Sequence, residues 1–218
     1  MKVCTDTCIF GAWFSNKAGE YNSILDIGSG TGLLMLMLAQ KCKSEIHGIE
    51  LDLHSFKQLK ENTSKNKWHD RLKVFHGDAR SYVFPLKYDF IIANPPFFEN
   101  GLPSASESKN LAKHSKQLTL EELMKSIHIN LSYHGSFGIL LPFERFRQFD
   151  ELAGVYGFFC TERLFLKQSP KHQFFRAILS YSRTIEPLIP SFEFIIKNPD
   201  QSYTSECIQL LKEYYLAF

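Results

Sequence analysis

The 218-residue sequence has no long apolar run, no cysteine pair at metal-binding spacing and no strong net charge. Each absence removes a class of protein. The longest aliphatic stretch runs from Leu33 to Ala39, far too short to cross a bilayer. No signal-peptide pattern opens the chain, and we expect no membrane association. The five cysteines, Cys4, Cys8, Cys42, Cys160 and Cys207, are odd in number, and none stands in a Cys-x-x-Cys pair. Cys4 and Cys8 are isolated from other ligands, so we expect no metal and free thiols in a reducing cytoplasm. A formal net charge of +2 is too mild to argue for nucleic acid by itself. Any such contact needs a local basic patch. Repeats, low-complexity tracts and domain linkers are missing too. What remains is ordinary globular composition, 44% hydrophobic and 22% charged, at a length that suits one full core. We expect a single domain over residues 1–218, acting as a monomer.

Short apolar strands alternate with helical patterns. Ser23–Gly28, Glu45–Leu51, Arg71–Gly77, Tyr88–Ala93 and Gly135–Leu141 read as strands. Helical patterns span Gly32 to Cys42, Leu53–Asn66, Thr119–Leu131 and Phe143–Tyr156, and Thr119 with Glu122 makes a capping-box signature. Glu162–Gln168 and Gln173–Ser182 are strand-like and separated only by Ser-Pro-Lys-His. A link that short makes an antiparallel hairpin and not a crossover. Five βα units closed by a hairpin predict an α/β fold with a doubly wound, seven-stranded sheet, its last strand antiparallel. Asn198–Phe218 reads as a loop and a terminal helix.

The strand ends carry the informative residues. Asp26-Ile-Gly-Ser-Gly-Thr-Gly32 falls where the first strand turns into the first helix. Gly28, Gly30 and Gly32 allow a tight turn and close approach of a ligand. Their spacing is G-x-G-x-G, not the G-x-G-x-x-G that cradles a pyrophosphate. The leading carboxylate of Asp26 suits a ligand with a positive end, such as the amino group of a methionine moiety. Glu50 ends the second strand, where a carboxylate can accept both hydroxyls of a ribose. Asp52 is a nearby competitor that better suits the cap of the next helix. Asp78 and Ala79 follow the third strand, placed for an adenine amino group and ring nitrogen.

Past the fourth strand stands Asn94-Pro95-Pro96-Phe97. The prolines stiffen the turn, and their carbonyls stay available as acceptors. An aromatic amine is a poor nucleophile because its lone pair is delocalised into the ring. The Asn94 side-chain oxygen and the Pro95 carbonyl can accept the two amine protons, which favours a tetrahedral nitrogen. Phe97 can stack on the target ring, and Phe98 can wall the pocket. The polar stretch from Glu99 to Lys116 carries Lys109, Lys113, His114 and Lys116, which we read as phosphate contacts. A solvated charged loop fits the same composition. Arg145, Arg147, Arg163, Lys167, Lys171, His172 and Arg176 form a second basic supply near the hairpin, scattered among phenylalanines.

Together these motifs resemble the Rossmann-like class I methyltransferases, which use S-adenosylmethionine (SAM), and the likeness covers most of the chain. More narrowly, the sequence is similar to the bacterial tRNA1(Val) adenine-N6 methyltransferases. That likeness rests on Met1-Lys-Val-Cys-Thr-Asp-Thr, Phe10-Gly-Ala-Trp13, Ala112-Lys-His114 and Leu211–Leu216 with its Tyr-Tyr-Leu. The resemblance implies SAM as cofactor and a tRNA anticodon stem-loop as partner, methylated at the adenine 3′ of the anticodon. It also implies that Lys2, Thr5 and Asp6 line the cofactor and target pocket. The family usually has glycine where Cys4 and Thr7 stand, and a strand pair before this segment, for which we expect no counterpart here. The same Asn-Pro-Pro-aromatic chemistry serves protein glutamine N5-methyltransferases and guanine-N2 enzymes on ribosomal RNA. A silent SAM-fold RNA-binding protein is the non-enzymatic reading.

Overall fold

Neighbouring residues of the central strands feed two different cores, as a sheet covered on both faces requires. The computed structural model describes residues 4–96 and 118–216. Among these lie strands β1 (Ser23–Ile27), β2 (Glu45–Glu50), β3 (Leu72–His76), β4 (Tyr88–Ala93), β5 (Leu131–Pro142), β6 (Phe159–Lys167), β7 (Phe174–Ser182) and β8 (Ser191–Ile195). They form one sheet in the order β3-β2-β1-β4-β5-β7-β6-β8. The first five are mutually parallel. β7 runs antiparallel to both β5 and β6, as the short hairpin link demands.

The sheet has eight strands, one more than the sequence predicts. β8 lies at the edge, parallel to β6. Only Phe194 of its five residues is buried, and Pro187 and Pro190 precede it, so its pattern gives little strand signal. The link from β3 to β4, residues 77–87, is made of turns without a helix, so the expected βα alternation lapses there.

Helices α1 (Thr5–Ser15), α2 (Leu33–Lys41), α3 (Leu53–Ser64), α4 (Leu120–Asn130), α5 (Phe146–Val155) and α6 (Ser205–Leu211) cover the two faces. Ile24, Phe90 and Ile92 point to the face that holds α1, α2 and α6. Leu25, Ile91 and Phe137 point to the face that holds α4 and α5. The α4 capping box forms as expected. Thr119 Oγ1 accepts from the Glu122 N–H at 3.1 Å, and the Glu122 carboxylate accepts from the Thr119 N–H at 2.8 Å.

α1 is absent from the strand-and-helix pattern of the sequence. Cys8–Ala12, Phe14 and Ser15 are all buried, so the helix has almost no polar face to reveal its period. It reaches close to α2 through Gly11, where a Cβ would stand 2.7 Å from Met37 Sδ. Tyr214 and Tyr215, beyond α6, pack on this same core. The result places the first turn of α1 beside the end of β4.

Candidate active site

The parallel strands β1 to β4 all end at one sheet edge, where ligands of doubly wound sheets bind. Gly28, Gly30 and Gly32 have φ of +75°, +56° and +93°, a left-handed backbone that glycine adopts without strain. The N–H groups of Gly28 and Ser29 donate to the Ile49 carbonyl at 3.0 and 3.1 Å. The Glu50 carboxylate accepts from the Gly30 N–H and from the Asp52 N–H, both at 2.8 Å. Asp52 turns its own carboxylate to the Ser55 N–H at 2.8 Å and caps α3, which leaves Glu50 as the acid facing the glycine turn.

Asp26 is fully buried, and neither carboxylate oxygen meets a hydrogen-bond donor among the described residues. Burial, together with the nearby Glu50 charge, pushes its pKa up to about 8. Asp78 is different. Arg80 holds its carboxylate through Nε at 2.9 Å and Nη2 at 2.6 Å, and keeps the Asp78 pKa below the usual range. Arg80 also reaches Glu122 of α4 at 3.2 Å. The Ala79 carbonyl accepts from Ser126 Oγ at 2.8 Å, so two α4 side chains brace this turn. Arg80 escaped the sequence reading, because an Asp-x-Arg spacing in a loop carries little signal.

Asn94 is half-buried, Pro95 buried and Pro96 exposed. The Asn94 side-chain nitrogen donates to Thr7 Oγ1 at 3.0 Å, and its oxygen makes no hydrogen bond among the described residues. Next to Thr7, Asp6 accepts from the Thr7 N–H at 2.9 Å and from Arg176 Nε at 3.0 Å. Thr5, Asp6 and Thr7 thus stand on the first turn of α1 at the edge that carries Asn94. Thr7 was not among the expected site residues. Lys2, Phe97, Phe98, Lys109, Lys113 and His114 lie outside the described residues.

The second basic supply is partly committed elsewhere. Arg163 pairs with Asp150 at 2.8 Å, Lys167 with Glu193 at 2.7 Å and Arg176 with Asp6. Arg147, Lys171 and His172 are exposed at the edge where β5 and β6 end. Phe143, Phe146, Phe165 and Phe174 interlock there, with centroid separations from 5.0 to 5.5 Å, and are only half-buried. Among the described residues no cluster of three metal-ligating side chains exists, and no helix is long and apolar enough to cross a membrane.

An orphaned buried carboxyl group on β1, with further carboxylates at the end of β2 and just past β3, fits an ammonium, a vicinal diol and an aminopurine. The methyltransferase small domain matches residues 8–123. The tRNA1(Val) (adenine(37)-N6)-methyltransferase of Dyadobacter fermentans is 37% identical over all of this chain and 92% of its own length. Its namesake in Trichodesmium erythraeum is 35% identical, over 100% of this chain and 92% of the relative. The crystal structure of a predicted O-methyltransferase from Agrobacterium tumefaciens shares the fold at a TM-score of 0.69 and 14% identity, covering 94% of this chain and 95% of that one. A glycopeptide N-methyltransferase crystallised with SAM shares it at 0.60 and 10% identity, over 81% and 94% of the two chains. The fold and the matched domain make this chain a class I methyltransferase of the small-domain type. It belongs to the tRNA1(Val) (adenine(37)-N6)-methyltransferase family.

Proposed function

We propose that this chain uses SAM to methylate the exocyclic N6 of an adenine in tRNA, the target being position 37 of tRNA1(Val) named for its relatives. The observation that carries this reading is Asn94 at the end of β4, its amide nitrogen donating to Thr7 and its oxygen without a hydrogen bond among the described residues. Asp26 would hold the ammonium of the cofactor, Glu50 its ribose hydroxyls, and Asp78 with the Ala79 N–H its adenine. When bound there, SAM supplies an electrophilic methyl group on a sulfonium.

The chain's own residues do the rest. The Asn94 oxygen and the Pro95 carbonyl accept the two hydrogens of the target amine. That draws its lone pair out of ring conjugation and aims it in line with the methyl. Pro96 keeps the turn rigid, and Phe97 and Phe98 stack on and wall the flipped base. The surplus proton leaves the nitrogen for water after transfer, so no buried base is needed. Lys2 and Thr5 complete the cofactor side, and Asp6, Lys109, Lys113 and His114 the substrate side. Exposed Arg147, Lys171 and His172 suit the phosphates of an anticodon stem-loop, whose unpaired adenine leaves its stack at low cost. We read the protein as a single-domain cytoplasmic monomer.

The test is to incubate it with labelled SAM and, separately, unmodified tRNA, duplex DNA and a release-factor-like protein, then to digest the product. The expected label is on N6-methyladenosine from tRNA. Label on glutamine or on N2-methylguanosine rejects the adenine assignment.

A further inference from the structure

We propose that Thr7 is a positioning residue for methyl transfer, holding the Asn94 amide so that its oxygen faces the target amine. This rests on the catalytic reading of Asn94 given above. Thr7 Oγ1 accepts from Asn94 Nδ2 at 3.0 Å across 87 residues of sequence. The torsion that turns an asparagine amide is broad and soft, so a half-buried Asn94 needs a partner to fix its plane. Thr7 is well fixed for that task. Its N–H is taken by Asp6 at 2.9 Å, and Asp6 is pinned from β7 by Arg176 at 3.0 Å. α1 itself is buried along most of its length, so the hydroxyl is anchored to the core.

Thr7 sets the plane of the amide, and the target selects the end that faces it. One of the two Nδ2 hydrogens goes to Thr7, and the oxygen is the acceptor available to a donor. A hydroxyl can meet either end of an amide, so Thr7 alone fixes the plane. The target's two N–H groups then match only the oxygen. An unheld amide would sample rotamers that present N–H to N–H, and those are non-productive. The loss therefore falls on turnover and not on binding of cofactor or RNA.

The test compares Thr7→Val, which keeps the shape and removes the hydroxyl, with Thr7→Ser, which keeps the hydroxyl. Both are measured alone and with Asn94→Ala, using labelled SAM and unmodified tRNA. The loss of one orienting hydrogen bond predicts a kcat about tenfold lower in Thr7→Val, with KM for SAM and tRNA nearly unchanged. Thr7→Ser should recover most of the rate. In the Asn94→Ala background Thr7→Val should cost nothing further, because the two act as one unit. A Thr7→Val enzyme with wild-type kcat, a defect confined to KM, a Thr7→Ser enzyme as slow as Thr7→Val, or additive losses would overturn the assignment. If Thr7→Val does not fold, Thr7→Ser and Thr7→Ala are compared on the same readouts, with the same outcomes decisive. If Asn94→Ala itself keeps full activity, the catalytic reading of Asn94 falls, and that result is distinct from a failure of Thr7 alone.

Discussion

The Gly30 N–H donates to the Glu50 carboxylate at 2.8 Å, tying the glycine turn after β1 to the end of β2. The other Glu50 oxygen receives the Asp52 N–H at the same distance. Glu50 therefore shapes the turn, and in the reading proposed above its remaining lone pairs take the cofactor's ribose. Glu50→Ala removes both. SAM affinity measured by calorimetry should fall by about ten- to a hundredfold, the range expected when a charged acceptor is lost. Unchanged affinity would remove Glu50 from the cofactor site.

Asp26 makes the ligand-free protein pH-sensitive. Its folded pKa of about 8 lies above the unfolded carboxylate value, so the folded state retains a proton that the unfolded state has lost. Its contribution is fully present below the unfolded pKa near 4 and is lost as pH rises through about 8. Asp26→Asn should abolish that decline. At pH 9 the variant should be more stable than the wild type by on the order of a few kcal/mol, and near pH 4 the two should converge. The same variant should bind SAM more weakly. Denaturant titrations across this range, with parallel calorimetry, read both effects.

Arg80 separates binding from stability. It grips Asp78 and reaches Glu122, yet all three side chains remain partly exposed. Such a pair adds little to folding, so Arg80→Ala should cost less than about 1 kcal/mol. It frees the Asp78 carboxylate to rotate, and KM for SAM should rise several-fold while kcat holds. Steady-state kinetics against thermal melts checks the split.

Thr119→Ala removes one arm of the α4 capping box. A cap of this kind is worth about 1 kcal/mol. Equilibrium unfolding should show that loss with SAM affinity unaltered.

Much of this site was legible because strand ends are sharply marked in a doubly wound sheet. Tyr88–Ala93 is a short apolar run, and whatever follows it stands at the ligand edge, so Asn94 could be placed from sequence. Asp52 could be assigned to the α3 cap on similar grounds, and the structure agrees. Partnerships across the chain were not legible. Thr7 meets Asn94 and Asp6 meets Arg176 only because α1 docks beside β4 and β7, and α1 is too buried to show a helical period. β8 hid for the opposite reason. It is a short edge strand with one buried side chain and almost no pattern to read. Arg163, Lys167 and Arg176 read as part of a basic supply by composition, and carboxylates from other segments pair with them.

In the mechanism proposed above, the Asn94 oxygen helps to prepare the amine for transfer. The most direct measurement is single-turnover transfer from labelled SAM to unmodified tRNA, comparing Asn94→Ala with the wild type at saturating cofactor. Loss of a preorganised acceptor predicts a rate of N6-methyladenosine formation lower by about a hundredfold or more, with SAM affinity within a few-fold of wild type. An Asn94→Ala enzyme that forms N6-methyladenosine at the wild-type rate would show that the Asn94 oxygen plays no part in transfer.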